Sequence, residues 1–195
     1  MNKFLWDLKA KLYRMLRCRF PVHFIIKQEN RNLERLLQSI EIDGRRIVDL
    51  GTGTGNALYC FAQAAELFGV DLTLSMLLAA KQLHPGVSMI QADAVSLPLQ
   101  NESADIVSAI GLSEYIKDIE LLFIEVHRIL KDRGYFLFTF SPYGIFTALR
   151  FLLGNRIYPR SMEQIEQIAT KVGFQVVHTG HSFMQRQVLF HKIGN

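Results

Sequence analysis

Three glycines at alternate positions, Gly51, Gly53 and Gly55, follow the apolar run Ile47-Val48-Asp49-Leu50 and precede Asn56. This stretch reads as a strand running into a glycine-rich turn and then a helix. In an open α/β sheet such a turn lies at the carboxyl end of the first strand, where ligands bind. Glycine there lets a ligand approach the backbone with no Cβ in the way. A dinucleotide fingerprint, G-x-G-x-x-G, would place the third glycine one position later. The earlier glycine suits a ligand with no pyrophosphate to cradle on a helix N-terminus. Asp71 ends a second apolar run, Phe68-Gly69-Val70-Asp71, twenty residues beyond Gly51. A carboxylate in that place can accept hydrogen bonds from both hydroxyls of a ribose. Asp93-Ala94 follow a third run, and a short acid there can reach the exocyclic amine of adenine. Three strand ends thus offer polar groups suited to one nucleoside. The plain alternatives are a structural turn and, at Asp93, an ordinary turn residue.

The elements that must position these groups are legible in the hydrophobic pattern. Strand candidates are Arg46–Leu50, Leu67–Asp71, Ser88–Ala92, Asp105–Ile110 and Tyr135–Phe140, near-continuous apolar runs of the kind buried on both faces of a parallel sheet. Residues 118–130 place Ile119, Leu122, Phe123, Val126, Ile129 and Leu130 on one helical stripe. Residues 161–172 do the same with Met162, Ile165, Ile168, Ala169 and Val172. That helix opens with Ser161 and Gln164 at capping-box spacing and ends at Gly173. Two β-like runs, Phe174–Thr179 and Gln187–His191, close the chain as a hairpin. The expected fold is α/β: a doubly wound, seven-stranded, mostly parallel sheet with a C-terminal antiparallel hairpin.

The chain has 195 residues, 49% of them hydrophobic, enough for a single domain spanning 1–195. No apolar run approaches the roughly 20 residues that span a bilayer. Two cysteines, Cys18 and Cys60, have no CxxC partner, and the start shows no secretory-signal pattern, so a reducing cytoplasmic setting is the expectation. The six histidines show no HxxxH spacing, and no metal is expected. Of the net charge of +4, residues 1–20 contribute +5, from six basic residues against Asp7, leaving the rest near neutral. That distribution argues against nucleic acid as a partner. Within residues 1–20, Phe4, Leu8, Leu12 and Leu16 form an i, i+4 stripe. Residues 1–40 read as a helical cap packed over the cleft, with peripheral membrane contact through 1–20 as the alternative.

The segments IVDLGTGTG, GVDLTLSML, QADAVSLPL, ADIVSAIGLSEYI and EVHRILKDRGYFLFTF resemble the successive motifs of the class I S-adenosylmethionine-dependent methyltransferases. The likeness is greatest to the small-molecule, ubiquinone/menaquinone-biosynthesis type (type 11). It covers residues 45–140, and MEQIEQIATKVGF fits more loosely. The resemblance implies a Rossmann-like methyltransferase fold and S-adenosylmethionine as cofactor. It places Asp49, Gly51, Thr52, Gly53 and Gly55 around the methionine part and Asp71 on the ribose. Leu72 and Met76 would pack on adenine, although Met76 also reads as a core residue of the second helix. Asp93 and Ala94 would meet the adenine edge, and Ile110, Gly111 and Leu112 would line the methionine arm.

Methyl transfer from a sulfonium is an in-line displacement that asks for alignment and water exclusion rather than a triad. No catalytic residue is assigned; Glu114, Tyr115 and His23 are candidate bases by placement. An Asn-Pro-Pro-Tyr or Asp-Pro-Pro-Tyr segment, used by resembling families on amide or base nitrogens, is absent after the fourth strand. The acceptor is expected to be a small molecule, selected by a lid over residues 141–160. Tyr143, Phe146, Leu149, Phe151, Leu152 and Leu153 make that segment apolar, and Arg150, Arg156 and Arg160 add charge. A noncatalytic cofactor-binding module, a membrane-associated lipid or quinone methyltransferase and a nucleotide-dependent oxidoreductase are the alternatives. The oligomeric state is not legible.

Overall fold

The computed structural model describes residues 31–144, 147, 157–182 and 184–194. Seven strands form one sheet: β1 (Arg46–Leu50), β2 (Glu66–Asp71), β3 (Ser88–Gln91), β4 (Ala104–Ala109), β5 (Leu130–Phe140), β6 (Phe174–His181) and β7 (Arg186–Lys192). Among the described residues, three helices with both ends in view accompany them: α1 (Leu74–Leu83), α2 (Ile119–Ile129) and α3 (Met162–Val172). The spatial order is β3-β2-β1-β4-β5-β7-β6. β1 to β5 run parallel, whereas β7 is antiparallel to both β5 and β6. The expected α/β sheet with its final hairpin is therefore what forms.

Strand alternation sorts the core into two layers. Val48, Leu50, Val107, Ala109, Phe136, Phe138, Val188 and Phe190 face α2 and α3. Their immediate neighbours Ile47, Ile106, Leu137 and Leu189 join Phe61, Leu33, Leu36 and Leu37 in a second cluster. Residues 31–37 are helical and supply those three leucines, so the described end of the expected N-terminal cap packs on the sheet. The rest of that cap, including the stripe of Phe4, Leu8, Leu12 and Leu16 and also His23, lies outside the described residues. So does most of the 141–160 segment.

Four expectations need correction in detail. The glycine turn does not lead into an α-helix but into a single 3-10 turn, Leu58–Phe61. Gly55 is left-handed at φ 82°, and the Ala65 and Glu66 amides already bond the Arg45 carbonyl. The amides in between bond three residues back, Leu58 to Gly55, Cys60 to Ala57, Ala62 to Tyr59 and Ala64 to Phe61, which is turn geometry and not α-helical. Leu130 ends the helical stripe by turning extended and pairing with Ala104. Being buried in either state, it gave no warning in the pattern. β3 stops at Gln91 and β4 at Ala109, one residue before Ala92 and Ile110, as the chain turns toward the loops that follow. The capping box of Ser161 and Gln164 and the left-handed Gly173 (φ 99°) bound α3 as expected.

Phe123 on α2 sits at the centre of the larger layer. Its ring meets those of Phe136, Phe138, Phe174 and Phe190 edge-on at centroid distances of 5.1–5.9 Å. One side chain thus ties α2 to β5, β6 and β7. We expect Phe123→Ala to cost about 3–5 kcal/mol, the range for emptying a packed aromatic site, and urea denaturation measures it. A loss under about 1 kcal/mol would show that the ring cluster is not a keystone.

Candidate functional site

The chain passes from β1 outward through β2 to β3, then returns to lay β4 on the other side of β1. Connections on either side of that reversal leave in opposite directions, which opens a crevice at the carboxyl ends of the strands. Register makes those ends level, since Leu50 pairs with both Val70 and Ala109. The loops carrying the expected site residues consequently start from one edge.

Gly51 and Gly53 are left-handed at φ 67° and 54°. The Thr52 amide donates to the Val70 carbonyl and the Gly55 amide to the Thr52 carbonyl, and a side chain from β2 completes the fastening. The Asp71 carboxylate accepts from the Gly53 amide at 2.9 Å and from the Thr73 amide at 2.8 Å. Burial pushes the Asp71 carboxyl up, and those N–H groups oppose the shift. The turn is not uniformly open. A Cβ on Gly51 would strike Leu112 at 2.8 Å and one on Gly55 would strike His84 at 2.8 Å. A Cβ on Gly53 would meet only the Gly51 carbonyl oxygen at 3.9 Å. Gly53 therefore presents backbone to open space, while Gly51 and Gly55 are glycine because neighbours press on them.

Beneath the turn lies Asp49, only 2% exposed. Ser108 on the paired strand β4 donates its hydroxyl to this carboxylate at 2.6 Å. Burial pushes the carboxyl up from 3.8 to about 6, with the Ser108 and Thr52 hydroxyls opposing and Asp71 adding like-charge repulsion. Further along the edge, Leu72 is exposed and Met76 is buried in α1. Asp93 is exposed, its carboxylate accepting from the Val95 amide at 3.2 Å, and Ala94 behind it is buried. Asp93 thus makes the turn of the plain reading while keeping its carboxylate at the edge.

On the β4 side Gly111 is left-handed at φ 69°. Its amide donates to the Thr139 hydroxyl at 2.8 Å. The Ser113 hydroxyl donates to the Thr139 carbonyl at 2.7 Å. Glu114, 2% exposed, accepts from the Ser141 hydroxyl at 2.8 Å. A buried carboxylate bonded in this way is structural in this conformation. Tyr115 is half-buried beside it. Arg160, 7% exposed, donates to the carbonyls of Ser113, Tyr158, Ile116 and Lys117. Its guanidinium is spent on backbone and is not the free cation that the composition of 141–160 implied. Sequence reasoning passed over Ser108, Thr139 and Ser113, and also Gln185, whose amide lies 3.5 Å from where a Gly111 Cβ would sit; Ser141 it placed only in the acceptor segment. Only their placement on strand ends could have signalled them. Among the described residues no group of His, Cys, Asp and Glu side chains is arranged to hold a metal. No helix among them is long and apolar enough to cross a membrane.

A family profile described as "Methyltransferase domain" matches residues 48–138, the stretch from β1 through β5. Residues 48–138, just under half of the chain, thus match a methyltransferase domain. Similar curated proteins include a malonyl-[acyl-carrier protein] O-methyltransferase of Gallionella capsiferriformans, 30% identical over 155 residues, which are 71% of this chain and 53% of that protein. A protein of the same name from Marinomonas sp. is 36% identical over 121 residues, 57% of this chain and 44% of that one. The chain thus spans about half the length of these relatives. Among solved structures, magnesium protoporphyrin IX methyltransferase from Synechocystis with bound SAH superposes at a TM-score of 0.78. It is 19% identical, over 97% of this chain and 99% of that one. At that identity the shared property is the fold. The match takes in the glycine turn, Asp71, Asp93 and the strand that ends before Gly111, so the methyltransferase domain and the crevice coincide.

Asp49 generates a pH signature in this domain. With its carboxyl raised to about 6, the folded chain holds a proton that the unfolded chain has released by about pH 4 to 5. Stability therefore falls as pH rises from about 4 to about 6 and levels off above. We expect Asp49→Asn to match the parent below pH ~4 and to exceed it by about 3 kcal/mol above pH ~6. Denaturation curves at pH 4 and pH 8 measure the difference; a pH-independent gap would refute it.

Proposed function

We propose that this chain binds S-adenosylmethionine in the crevice and transfers its methyl group to a small-molecule acceptor by in-line displacement. The observation that carries the reading is Asp71. It stands at the strand end next to the sheet reversal, with one oxygen on the Gly53 amide and the other on the Thr73 amide, and the Thr73 hydroxyl and Leu72 amide act on it as well. A carboxylate at that place is the group that takes a ribose hydroxyl pair. The open side of Gly53 is the cradle that a nucleoside sulfonium needs, since a side chain there would fill the space beside it.

Within this reading Asp71 holds the ribose, and Leu72 and Met76 pack against adenine. Asp93 and Ala94 address the adenine edge. Asp49, Gly51, Thr52, Gly53 and Gly55 surround the methionine part, with Ile110, Gly111 and Leu112 along its other side. When bound, S-adenosylmethionine supplies a methyl already activated as a sulfonium substituent. The residues of the chain then have to bind, orient and exclude water. Asp49 adds a buried carboxylate below a ligand carrying a cationic sulfonium and ammonium, so binding favours its ionised form. Support for a small acceptor group comes from the relatives, named for O-methylation of malonyl-[acyl-carrier protein], a short acyl group borne on a carrier. The reading extends to a cytoplasmic setting, supported by two cysteines with no CxxC spacing.

Calorimetry with S-adenosylhomocysteine and with NADH tests the cofactor. We expect binding of the first alone, and Asp71→Ala to weaken it about 30-fold or more while the variant stays folded. Unchanged affinity would remove Asp71 from the ribose. Labelled S-adenosylmethionine incubated with a metabolite extract tests the transfer: binding without any labelled product would leave a cofactor-binding module and no enzyme.

A further inference from the structure

The turn between β4 and α2 is fastened from two sides. Thr139 on β5 holds its start, accepting from the Gly111 amide with its hydroxyl and from the Ser113 hydroxyl with its carbonyl, at 2.8 and 2.7 Å. Arg160 holds the rest, through the carbonyls of Ser113 at 2.9 Å, of Lys117 at 3.1 Å and of Ile116. Its own segment is anchored in turn, because the Arg160 amide donates to the Ser141 carbonyl at 3.1 Å and the Tyr158 amide to the Glu114 carbonyl at 2.7 Å. The hydrogen bonds of the guanidinium go to backbone carbonyls and to no carboxylate among the described residues. Burial works against this cation, and Tyr143, Asp118 and Tyr158 nearby oppose that penalty. A planar fork of five N–H donors is the group that can bridge several carbonyls at once.

What the clamp delivers is a contact. Leu112 lies between the two fastenings, and its side chain sits on Gly51, 2.8 Å from where a Cβ would stand. Asp71 and Asp93 belong to the ends of β2 and β3, on the far side of β1, and Asp71 meets the glycine turn at Gly53 rather than at Gly51. We propose that Arg160 is a positioning residue that presses Leu112 onto the glycine turn, and so shapes the methionine end of the ligand site while leaving the adenosine end alone. The proposal rests on the methyltransferase reading given above.

Two ligands separate the ends: S-adenosylhomocysteine, which carries the amino-acid arm, and 5′-methylthioadenosine, which has adenosine and sulfur without it. In Arg160→Lys a single ammonium replaces the fork and cannot span the carbonyls. Calorimetry should show S-adenosylhomocysteine affinity down about tenfold, the worth of one good hydrogen bond, with methylthioadenosine unchanged to about twofold. Ser113→Ala, which frees the same turn at its other fastening, should give the same split and decides the matter if the lysine variant does not fold. Equal losses for both ligands, or none for either, would overturn the positioning role and leave Arg160 a structural residue. Failure of the parent protein to bind either ligand would instead remove the cofactor reading, and the proposal with it.

Discussion

One carboxylate receiving two backbone N–H groups sets the shape of the crevice. Asp71 belongs to β2, yet it holds the turn that leaves β1, through Gly53, as well as the start of α1, through Thr73. Glycines in the left-handed region carry no side chain with which to fix their own conformation. Without Asp71 the Gly53 amide would have to be satisfied from solvent, whereas those of Thr52 and Gly55 have backbone acceptors. The same group that a nucleoside would use is therefore already employed in building the cradle. Ligand recognition and loop geometry share an atom, and this is why the spacing from Gly51 to Asp71 matters more than either motif alone.

Much of this was visible in the residue pattern. Ser161, Gln164 and Gly173 mark both ends of α3 by local chemistry, and local chemistry is what a linear sequence displays. The alternation of Ile47 with Val48, and of Phe136 with Leu137, showed strands buried on both sides. The failures are equally physical. Leu130 is apolar and buried whether it closes a helix or opens a strand, so periodicity could not assign it. The stretch after Gly55 is rich in alanine and looks helical, but its amides bond three residues back and form turns around one 3-10 helix. Arg160 reaches carbonyls more than forty residues earlier in the chain, and no pattern of side chains announces a bond to a backbone oxygen.

The glycines of the turn also divide in a way that their shared letter conceals. Gly51 is closed by Leu112 and Gly55 by His84, whereas Gly53 looks onto open space. Two of them answer to packing and one to approach from outside. A side chain introduced at each position would consequently fail for different reasons, displacement of a neighbour in two cases and obstruction of a visitor in the third. The left-handed backbone adds strain to all of them.

The order β5-β7-β6 has a bearing on how the chain reaches this state. β6 has a single neighbour in the sheet, and that neighbour is the strand that follows it in sequence. As the polypeptide leaves the ribosome, β6 emerges with no edge to join, since the place beside β5 is reserved for β7. Only when β7 has appeared can the pair enter together, antiparallel, and bring Val188 and Phe190 under α2 and α3. A nascent chain halted anywhere before Arg186 would thus be two strands short rather than one, with β5 left as a bare phenylalanine-rich margin.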